Sequence, residues 1–360
     1  MRDGGRVATV SVESVRHKGV DMAVTISDVA RHAKVSPSTV SYVLSGKRTI
    51  SPKTVERVRR SIDELGFRPH AGARSVRARR SGVIALSLPM VHGRRNSVQM
   101  PHVWAVLAAA QEMDLKVLVL VDDDGETAVR DAVGSAMVDG VILMEVQRQD
   151  PRVALLEELR CPAVIVGSPD DPGQLARVDY DFDAAARMSV EHLHQLGHSR
   201  VGYLGHAPGV FDRGLAYVIH ARDAVLAHVR ELCGRPAAWT ACDPTPDGVL
   251  LSLKELLRQD PNLTGLIVYN ERALPLVVHH LVALGYPVPQ DISVVGMGYD
   301  DEAEHCVPPC TSVTLSADSI ARTAVGSLAR HISGEPPPAQ VSLPPTLTIR
   351  ASTGPARAHP

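Results

Sequence analysis

Hydroxyl, phenol and guanidinium side chains follow one another closely near the N-terminus of this 360-residue chain. Serine hydroxyls can donate hydrogen bonds to phosphate oxygens, and tyrosine and the forked arginine side chain can reach the edges of nucleic-acid bases. This chemistry requires one structural element that presents the side chains on a single surface. The residues that could take part, with a proline at the leading end, are Ser36, Pro37, Ser38, Ser41, Tyr42 and Arg48.

The charge of the chain is divided between a basic segment and an acidic body. The formal net charge of the whole chain is −2, which hides this division. Residues 25–80 contain 13 lysine and arginine against 4 aspartate and glutamate residues, or +9, whereas residues 81–360 contain 21 against 33, or −12. This asymmetry is typical of a nucleic-acid-binding module joined to a second domain. A basic three-helix domain that contacts other proteins is the alternative.

Helix signals in the basic segment supply the element that could position these side chains. Thr25 and Asp28 fit a capping box, and Ser36-Pro37 and Ser51-Pro52 each fit an N-cap followed by proline at the first helical position. Gly66 ends the third helical pattern. Two short helices joined by a tight turn and braced by a third predict a helix-turn-helix, whose second helix enters the major groove of DNA. The inward-facing residues expected in that second helix are Val40, Val43 and Leu44.

Short apolar runs alternate with helical patterns from Ser81 onward, which predicts an α/β fold with parallel sheets covered by helices on both faces. Ligands in such folds bind at the carboxyl ends of the strands. The expected strands are 83–88, 117–121, 141–143, 163–166, 201–204, 265–268 and 293–295. The expected helices lie near 101–113, 126–137, 152–159, 184–196, 214–231, 248–258, 272–284 and 318–332.

Other classes of protein and site are disfavoured by the sequence. No run of 18 apolar residues and no secretory signal occurs, and five irregularly spaced cysteines fit a reducing cytoplasm. No P-loop, GxGxxG, GxSxG or HExxH motif is present, so we expect no enzyme and no cofactor. Cys306 and Cys310 lack a second CxxC-type pair, and the histidines between 192 and 198 do not share a helix face, so we expect no metal.

A family resemblance is carried by TISDVARHAKVSPSTVSYVLSGKRTISPKTVERVRRSIDELGFRPHAGARSV, which resembles the DNA-binding head and hinge of the LacI/GalR family of bacterial transcription regulators. The body resembles the same family more loosely through VDGVIL, VEHLHQLGHSRVGYLG, PVPQDISVVGMG and LPPTLTIRAST. The resemblance implies a three-helix helix-turn-helix head, a hinge and a two-lobed periplasmic-binding-protein-like domain whose chain crosses three times between the lobes.

The implied domains follow the charge division. Residues 1–23 are an extension that we expect to be disordered, although translation could instead start at Met22. The head spans 24–67, the hinge 68–80, and the effector-binding and dimerisation domain 81–353. The implied first lobe comprises 81–177 and 311–334, and the second comprises 178–310 and 335–353.

The implied hinge helix meets the minor groove of DNA through Ala73, Arg74, Val76 and Arg77. Family members usually carry at position 76 a leucine that wedges between base pairs and kinks the duplex. Valine is shorter, so the wedge could be shallower, the kink smaller or the hinge helix weaker.

The implied effector site shows departures from the family pattern. Asn270-Glu271 stands where the family usually has Asn-Asp, and the position of a family arginine falls near Arg213–Arg222. Tyr299 follows a glycine-rich phrase at a strand end, and Trp239 and Phe211 are further candidates for stacking. Each of these residues could instead be a capping or surface residue. The candidate effector-binding residues are Asp122, Asp170, Arg213, His220, Arg222, Asn270, Glu271 and Tyr299.

The expected function is a cytoplasmic homodimer that binds a palindromic operator in double-stranded DNA and is gated by a small molecule between its lobes. The resemblance favours a repressor with a sugar as its effector. A nucleobase or a phosphorylated metabolite is another candidate effector, and a regulator with no ligand, whose body serves only dimerisation, is the alternative. No membrane partner is expected.

Overall fold

The computed structural model describes residues 24–45, 48–67, 80–89, 100–121 and 125–357. The chain divides at Arg80 into two compact units, which are described separately. The expected N-terminal extension and the expected hinge, except for Arg80, lie outside the described residues.

Three helices form the N-terminal unit: α1 (Ile26–His32), α2 (Pro37–Ser45) and α3 (Pro52–Leu65). The capping box of α1 is present, because the Asp28 backbone N–H donates to Thr25 Oγ1 at 3.3 Å and the Thr25 N–H donates to the Asp28 carboxylate at 2.9 Å. Ser36 caps α2 by accepting from the Thr39 N–H at 3.2 Å. Ser51 makes no such backbone bond to α3.

The core of this unit is small, and Val29, Val40 and Val58 are fully buried at its centre. Val43 packs against the edge of this core, but Leu44 is 38% exposed, so the expectation that it faces inward was wrong. The helix is only nine residues long, and the narrow stripe that it buries is already filled by Val40 and Val43.

Two sheets form the second unit, each with six strands among the described residues. The first sheet is parallel throughout and has the order β11-β5-β4-β3-β1-β2. Its strands are β1 (Val83–Ser87), β2 (Lys116–Leu120), β3 (Gly140–Leu143), β4 (Ala163–Val166), β5 (Ala176–Tyr180) and β11 (Gln340–Leu343). The helices of this lobe are α4 (Met100–Glu112), α5 (Glu126–Gly134), α6 (Pro151–Glu158) and α13 (Ala317–Ser333).

The second sheet has the order β12-β10-β9-β8-β6-β7, and only the β10–β12 pair is antiparallel among its described strands. Its strands are β6 (Val201–Gly205), β7 (Ala238–Ala241), β8 (Gly265–Val268), β9 (Ser293–Gly298), β10 (Thr311–Thr314) and β12 (Thr346–Thr348). The helices of this lobe are α7 (Phe182–Gln195), α8 (Pro208–Asp212), α9 (Ala216–Cys233), α10 (Pro246–Gln259), α11 (Leu274–Ala283) and α12 (Asp300–Glu304). None of the described helices is long and apolar enough to cross a membrane.

The chain passes between the two sheets three times, after β5, before α13 and between β11 and β12. The expected lobe boundaries at 177, 311 and 335 need correction, the first because β5 of the first sheet runs to Tyr180. Strand β10 belongs to the second sheet, and β11 belongs to the first because it pairs with β5. Helix α13 buries its apolar face in the core of the first lobe. Which sheet a short strand joins depends on the open edge that it meets, and no local pattern encodes that edge.

All seven expected strands are present, whereas β5, β7, β10, β11 and β12 were not expected. The unexpected strands mix polar with apolar residues, as in Ala-Arg-Val-Asp-Tyr for β5 and Gln-Val-Ser-Leu for β11. Three of them lie at sheet edges. An edge strand has a neighbouring strand on one side only, so fewer of its side chains are buried and its apolar pattern is weaker.

A buried ion pair joins two strand ends of the first sheet. Arg152 and Asp150 are each 2% exposed at the side chain and lie 2.7 Å apart. The Arg152 guanidinium also donates to the Ser87 hydroxyl at 3.0 Å and to the Met144 carbonyl at 3.0 Å. These bonds satisfy the charges that burial would otherwise penalise, and they fix the ends of β1 and β3 side by side.

Candidate functional site

The expected recognition surface lies on α2 and on the residue just beyond it. Ser36, Pro37, Ser38 and Tyr42 are exposed, and Ser41 is half-buried. The Arg48 guanidinium lies 5.8 Å from the centre of the Tyr42 ring. Hydroxyl, phenol and guanidinium groups are therefore accessible along α2 and just beyond it. The expected hinge contacts Ala73, Arg74, Val76 and Arg77 fall outside the described residues.

A cleft lies between the two lobes of the second unit, and its empty space, counted together with the open solvent at its mouth, is about 680 Å³. It is lined from the first lobe by residues that end or follow β3, β4 and β5, and from the second lobe by residues that end or follow β6, β8, β9 and β10. The carboxyl ends of parallel strands gather at one edge of each sheet, so the two edges face each other across this cavity.

Aromatic side chains are concentrated in the cavity. The chain has only twelve tryptophan, tyrosine and phenylalanine residues, and five of them line it. Neighbouring rings lie in edge or tilted contact, with centroids about 6 Å apart. Rings in this arrangement offer apolar faces for a ligand to stack on and hydroxyls at their rims. The five residues are Tyr180, Phe182, Tyr217, Tyr269 and Tyr299.

Glu271 and His206 are buried against this wall, and each has a polar atom without a hydrogen-bond partner among the described residues. Glu271 Oε2 and His206 Nε2 lie 4.0 Å apart, too far for a hydrogen bond. Desolvation by burial raises the pKa of Glu271 to about 7 and lowers the pKa of His206 to about 4. The two groups are therefore not an ion pair near pH 6, and both are available to a ligand.

Gly298 provides the room that Glu271 needs. Its φ is +134°, and a Cβ at this position would lie 2.5 Å from Glu271 Oε1. A side chain at residue 298 would therefore clash with the glutamate. Glu271, which departs from the family pattern, therefore depends on the absence of a side chain at Gly298.

Contacts across the cavity hold the lobes together. Tyr299 Oη of the second lobe lies 2.6 Å from Nδ1 of His102, whose Nε2 lies 3.0 Å from Tyr180 Oη. Burial lowers the pKa of His102 to about 4, so this chain of three groups is uncharged at neutral pH. At the rim, the Arg148 N–H donates to the Gly214 carbonyl at 2.9 Å, which joins the two backbones directly.

The structure brings some of the expected effector residues to the cavity. Glu271 and Tyr299 line it. Arg213 lies at its edge, with Nη1 3.4 Å from Oε2 of the lining residue Glu145. The Asn270 amide instead donates to the carbonyls of Gly205 and Cys242, so it ties the ends of β6 and β7 together.

The remaining expected effector residues lie elsewhere. Asp170 is exposed and pairs with Arg148 at 2.9 Å, and the half-buried His220 lies near that pair. Arg222 lies over the rings of Trp239 and Phe211, 5.0 and 5.5 Å from their centres, and pairs with Asp223. None of these side chains belongs to the described cavity lining. Asp122 falls outside the described residues.

Sequence reasoning missed His102, Glu145, Asp179 and His206, along with four of the five aromatic lining residues. The sequence could have predicted some of these lining residues from their positions at strand ends. Tyr180 ends β5 and Tyr269 immediately follows β8, which is where ligands bind in such sheets. His102 lies on α4, distant from these residues in sequence, and no local pattern points to it.

The comparisons with known proteins agree on both units. Residues 25–70 match the model of the bacterial regulatory proteins of the lacI family, and residues 190–353 match a periplasmic binding protein-like domain. The HTH-type transcriptional regulator CelR of Thermobifida fusca is 29% identical over 338 residues, which cover 91% of this chain and 98% of that protein. The chain therefore joins a lacI-type DNA-binding domain to a periplasmic binding protein-like domain, and it is similar to lacI-family regulators over most of its length. It is therefore a transcriptional regulator that has a DNA-binding unit and a domain of the effector-binding type.

Solved structures of two transcriptional regulators show the same fold. A transcriptional regulator CelR–cellobiose complex is similar with a TM-score of 0.64 and 26% identity, covering 91% of this chain and 99% of that one. The lac repressor dimer bound to operator and the anti-inducer ONPF is similar with a TM-score of 0.80 and 23% identity, covering 92% of this chain and all of that one. These likenesses span both the helix-turn-helix and the two lobes.

We expect Glu271 to give this regulator a pH-dependent stability. Because burial raises its pKa to about 7 from the ordinary 4.5, the folded chain holds the proton more tightly than the unfolded chain. This contribution is complete below about pH 4.5 and is lost as pH rises through 7. Glu271→Gln has no carboxyl group to titrate at this position. Between pH 4.5 and 8 the wild type should therefore lose about 3 kcal/mol of unfolding free energy relative to this variant.

Denaturant unfolding at a series of pH values measures this difference. The control is Glu255→Gln. The side chains of Arg258 and Gln259 lower the pKa of Glu255 to about 2, so Glu255 stays ionised from pH 4.5 to 8. The pH dependence of this variant's stability should therefore match that of the wild type. Parallel stability curves for wild type and Glu271→Gln would show that Glu271 does not titrate there.

Proposed function

We propose that this regulator is a cytoplasmic repressor that binds a palindromic operator as a homodimer and is gated by a saccharide held between its lobes. The observation that carries the gating is the interlobe cavity, where five aromatic residues surround unpartnered buried atoms of Glu271 and His206. Ring faces suit the apolar faces of a sugar, and convergent polar atoms suit its hydroxyls. The similar solved structure of a CelR–cellobiose complex supports this ligand class.

Gating follows from the position of the cavity. The lobes touch through the His102–Tyr299 bond, the Arg213–Glu145 pair and the backbone contact at Arg148. A ligand that contacts both lobes stabilises one lobe arrangement over others by its differential affinity. That arrangement would change operator affinity through the hinge, and whether the ligand releases or strengthens repression depends on which arrangement it favours.

DNA binding is proposed to place α2 in the major groove. Tyr42 and Arg48 reach base edges, Ser36 and Ser41 contact phosphates, and Pro37 and Ser38 lie at the leading end. The basic segment neutralises phosphates, whereas the acidic body is repelled by the duplex. Ala73, Arg74, Val76 and Arg77 are proposed to contact the minor groove.

Dimerisation is proposed to use an exposed apolar patch on each lobe. The first patch lies on α4 and the edge strand β2, where Trp104 is 64% and Val119 37% exposed. The second lies on the packed helices α10 and α11, where Leu251 is 67% and Val282 53% exposed. Exposed apolar patches of this kind mark association surfaces.

Tyr42→Ala and Arg48→Ala should each weaken binding to the cognate operator by at least about tenfold, since a good base contact provides roughly 1–3 kcal/mol of discrimination. Fluorescence anisotropy with a labelled palindromic duplex measures this affinity. The logarithm of the wild-type affinity should also fall steeply and linearly with the logarithm of salt concentration.

Arg187→Ala serves as the matched control, because this arginine is half-exposed on α7 in the second lobe. It should bind the operator like the wild type. Unchanged affinity in both Tyr42→Ala and Arg48→Ala would rule out the proposed recognition surface.

Leu251→Asp and Val282→Asp should convert the dimer into monomers at micromolar concentration, because each places a charge in an apolar interface. Analytical ultracentrifugation measures the mass, and operator affinity should fall along with dimerisation. Val307→Asp is the control, since Val307 is 87% exposed but lies outside both patches. Dimers of normal mass from both interface variants would exclude the second patch.

A saccharide that occupies the cavity should raise the melting temperature and shift operator affinity. A ligand present at 100 times its Kd adds about 2.7 kcal/mol to the stability of the folded state. Thermal shift against neutral sugars, amino sugars, nucleobases and sugar phosphates, followed by operator titration with each hit, makes the test. No hit in any class would favour the alternative in which the body serves only dimerisation.

A further inference from the structure

The lining of the cavity is acidic. Three carboxylates converge on it from both lobes, whereas the described lining residues include no lysine or arginine. His102 and His206 are the bases among them, and burial lowers the pKa of each to about 4, so both are uncharged at neutral pH. The three carboxylates are Glu145, Asp179 and Glu271.

These carboxylates differ in how their charge is balanced. Glu145 lies 3.4 Å from the Arg213 guanidinium. Burial raises the pKa of Asp179 to about 6, although Asp179 accepts from the Tyr180 N–H at 2.8 Å and feels the charge of Arg177. Glu271 has no lysine or arginine within ion-pair distance among the described residues, and its side chain is only 7% exposed. Among these three carboxylates, Glu271 is the one with a buried oxygen that has no hydrogen-bond partner among the described residues.

The two oxygens of Glu271 also differ. Its own backbone N–H bonds to the carboxylate, and Oε1 packs against Gly298, whereas Oε2 has no partner. A buried carboxylate oxygen without a partner is costly, and a ligand cation would remove that cost more fully than a neutral hydroxyl. The unpartnered Nε2 of His206, 4.0 Å from Oε2, can bond a hydroxyl beside that cation.

Aromatic rings also lie close to the two unpartnered atoms, Glu271 Oε2 and His206 Nε2. The ring of His206 lies 4.7 Å from the ring of Tyr269 and 5.7 Å from that of Tyr217, centre to centre. Tyrosine rings carry negative charge on their faces and attract cations in a desolvated site. The ring faces and the unbalanced carboxylate therefore favour the same ligand charge.

We propose that the effector is an amino sugar, whose protonated amine pairs with Glu271 Oε2 while the neighbouring ring hydroxyl bonds to His206 Nε2. This rests on the proposed function, in which the cavity takes a saccharide. A simple alkylamine would leave His206 without a partner, and a neutral sugar would leave the charge of Glu271 unbalanced. The vicinal amine and hydroxyl of a 2-amino sugar satisfy both atoms.

Isothermal titration calorimetry on the full chain tests this with matched sets of sugars. Each set holds an amino sugar, its neutral parent and its N-acetyl form: glucosamine, glucose and N-acetylglucosamine, the corresponding galactose set, and chitobiosamine, cellobiose and diacetylchitobiose. At least one amine should bind about tenfold or more tightly than both of its matched neutral compounds. N-acetylation removes the charge and keeps the nitrogen, so it separates charge from shape.

The variant Glu271→Gln keeps the shape of the side chain and removes its charge. It should bind the amine no better than the neutral parent, whereas the control Glu255→Gln on the exposed face of α10 should keep the wild-type preference. Circular dichroism checks that both variants are folded, and the wild-type comparison decides the question if Glu271→Gln is not.

Two results would overturn the proposal, and they differ. Neutral parents that bind as tightly as the amines would refute the amino-sugar class while leaving a saccharide-gated regulator intact. No binding and no change in operator affinity with any sugar would refute the proposed gating as well.

Discussion

Polar groups that are buried between two sheets must find partners, and this requirement shapes the body of the regulator. The strands of each sheet end at the same edge, so their last carbonyls, their side chains and the loops that follow all meet between the lobes. In the first lobe the Arg152–Asp150 pair satisfies several of these groups and fixes β1 beside β3. In the second lobe Asn270 does the same for β6 and β7.

The atoms that this bonding leaves unsatisfied are informative because so much else is satisfied. Glu271 Oε2 and His206 Nε2 lie in the wall of the cavity, where burial raises the pKa of the glutamate to about 7 and lowers that of the histidine to about 4. An uncompensated polar pair is expensive in a folded protein unless something binds to it. The fit of Gly298 around the glutamate indicates that the longer side chain is built into the site and does not merely replace a shorter acid.

The charge division along the chain has a physical role in this arrangement. The basic segment is attracted to phosphates, whereas the acidic body, including the acids of the cavity, is repelled by them. In the proposed function, affinity for DNA is thereby confined to the helix-turn-helix unit and the basic segment after it. The body is left to bind its own partners, which suits a device in which one unit reads DNA and the other responds to a ligand.

Local patterns in the sequence determined the helix-turn-helix, its capping residues and the alternation of strands with helices, because each depends on residues a few positions apart. Tertiary structure decided which strands lie at the sheet edges and which lobes β10 and β11 join. It also brought Tyr180, Tyr269 and Tyr299 into one cavity with His102. These depend on which distant segments pack together. The same limit applies to three residues whose chemistry suited a ligand. Packing placed Asp170 in a surface ion pair and His220 beside that pair. It placed Arg222 over an aromatic ring.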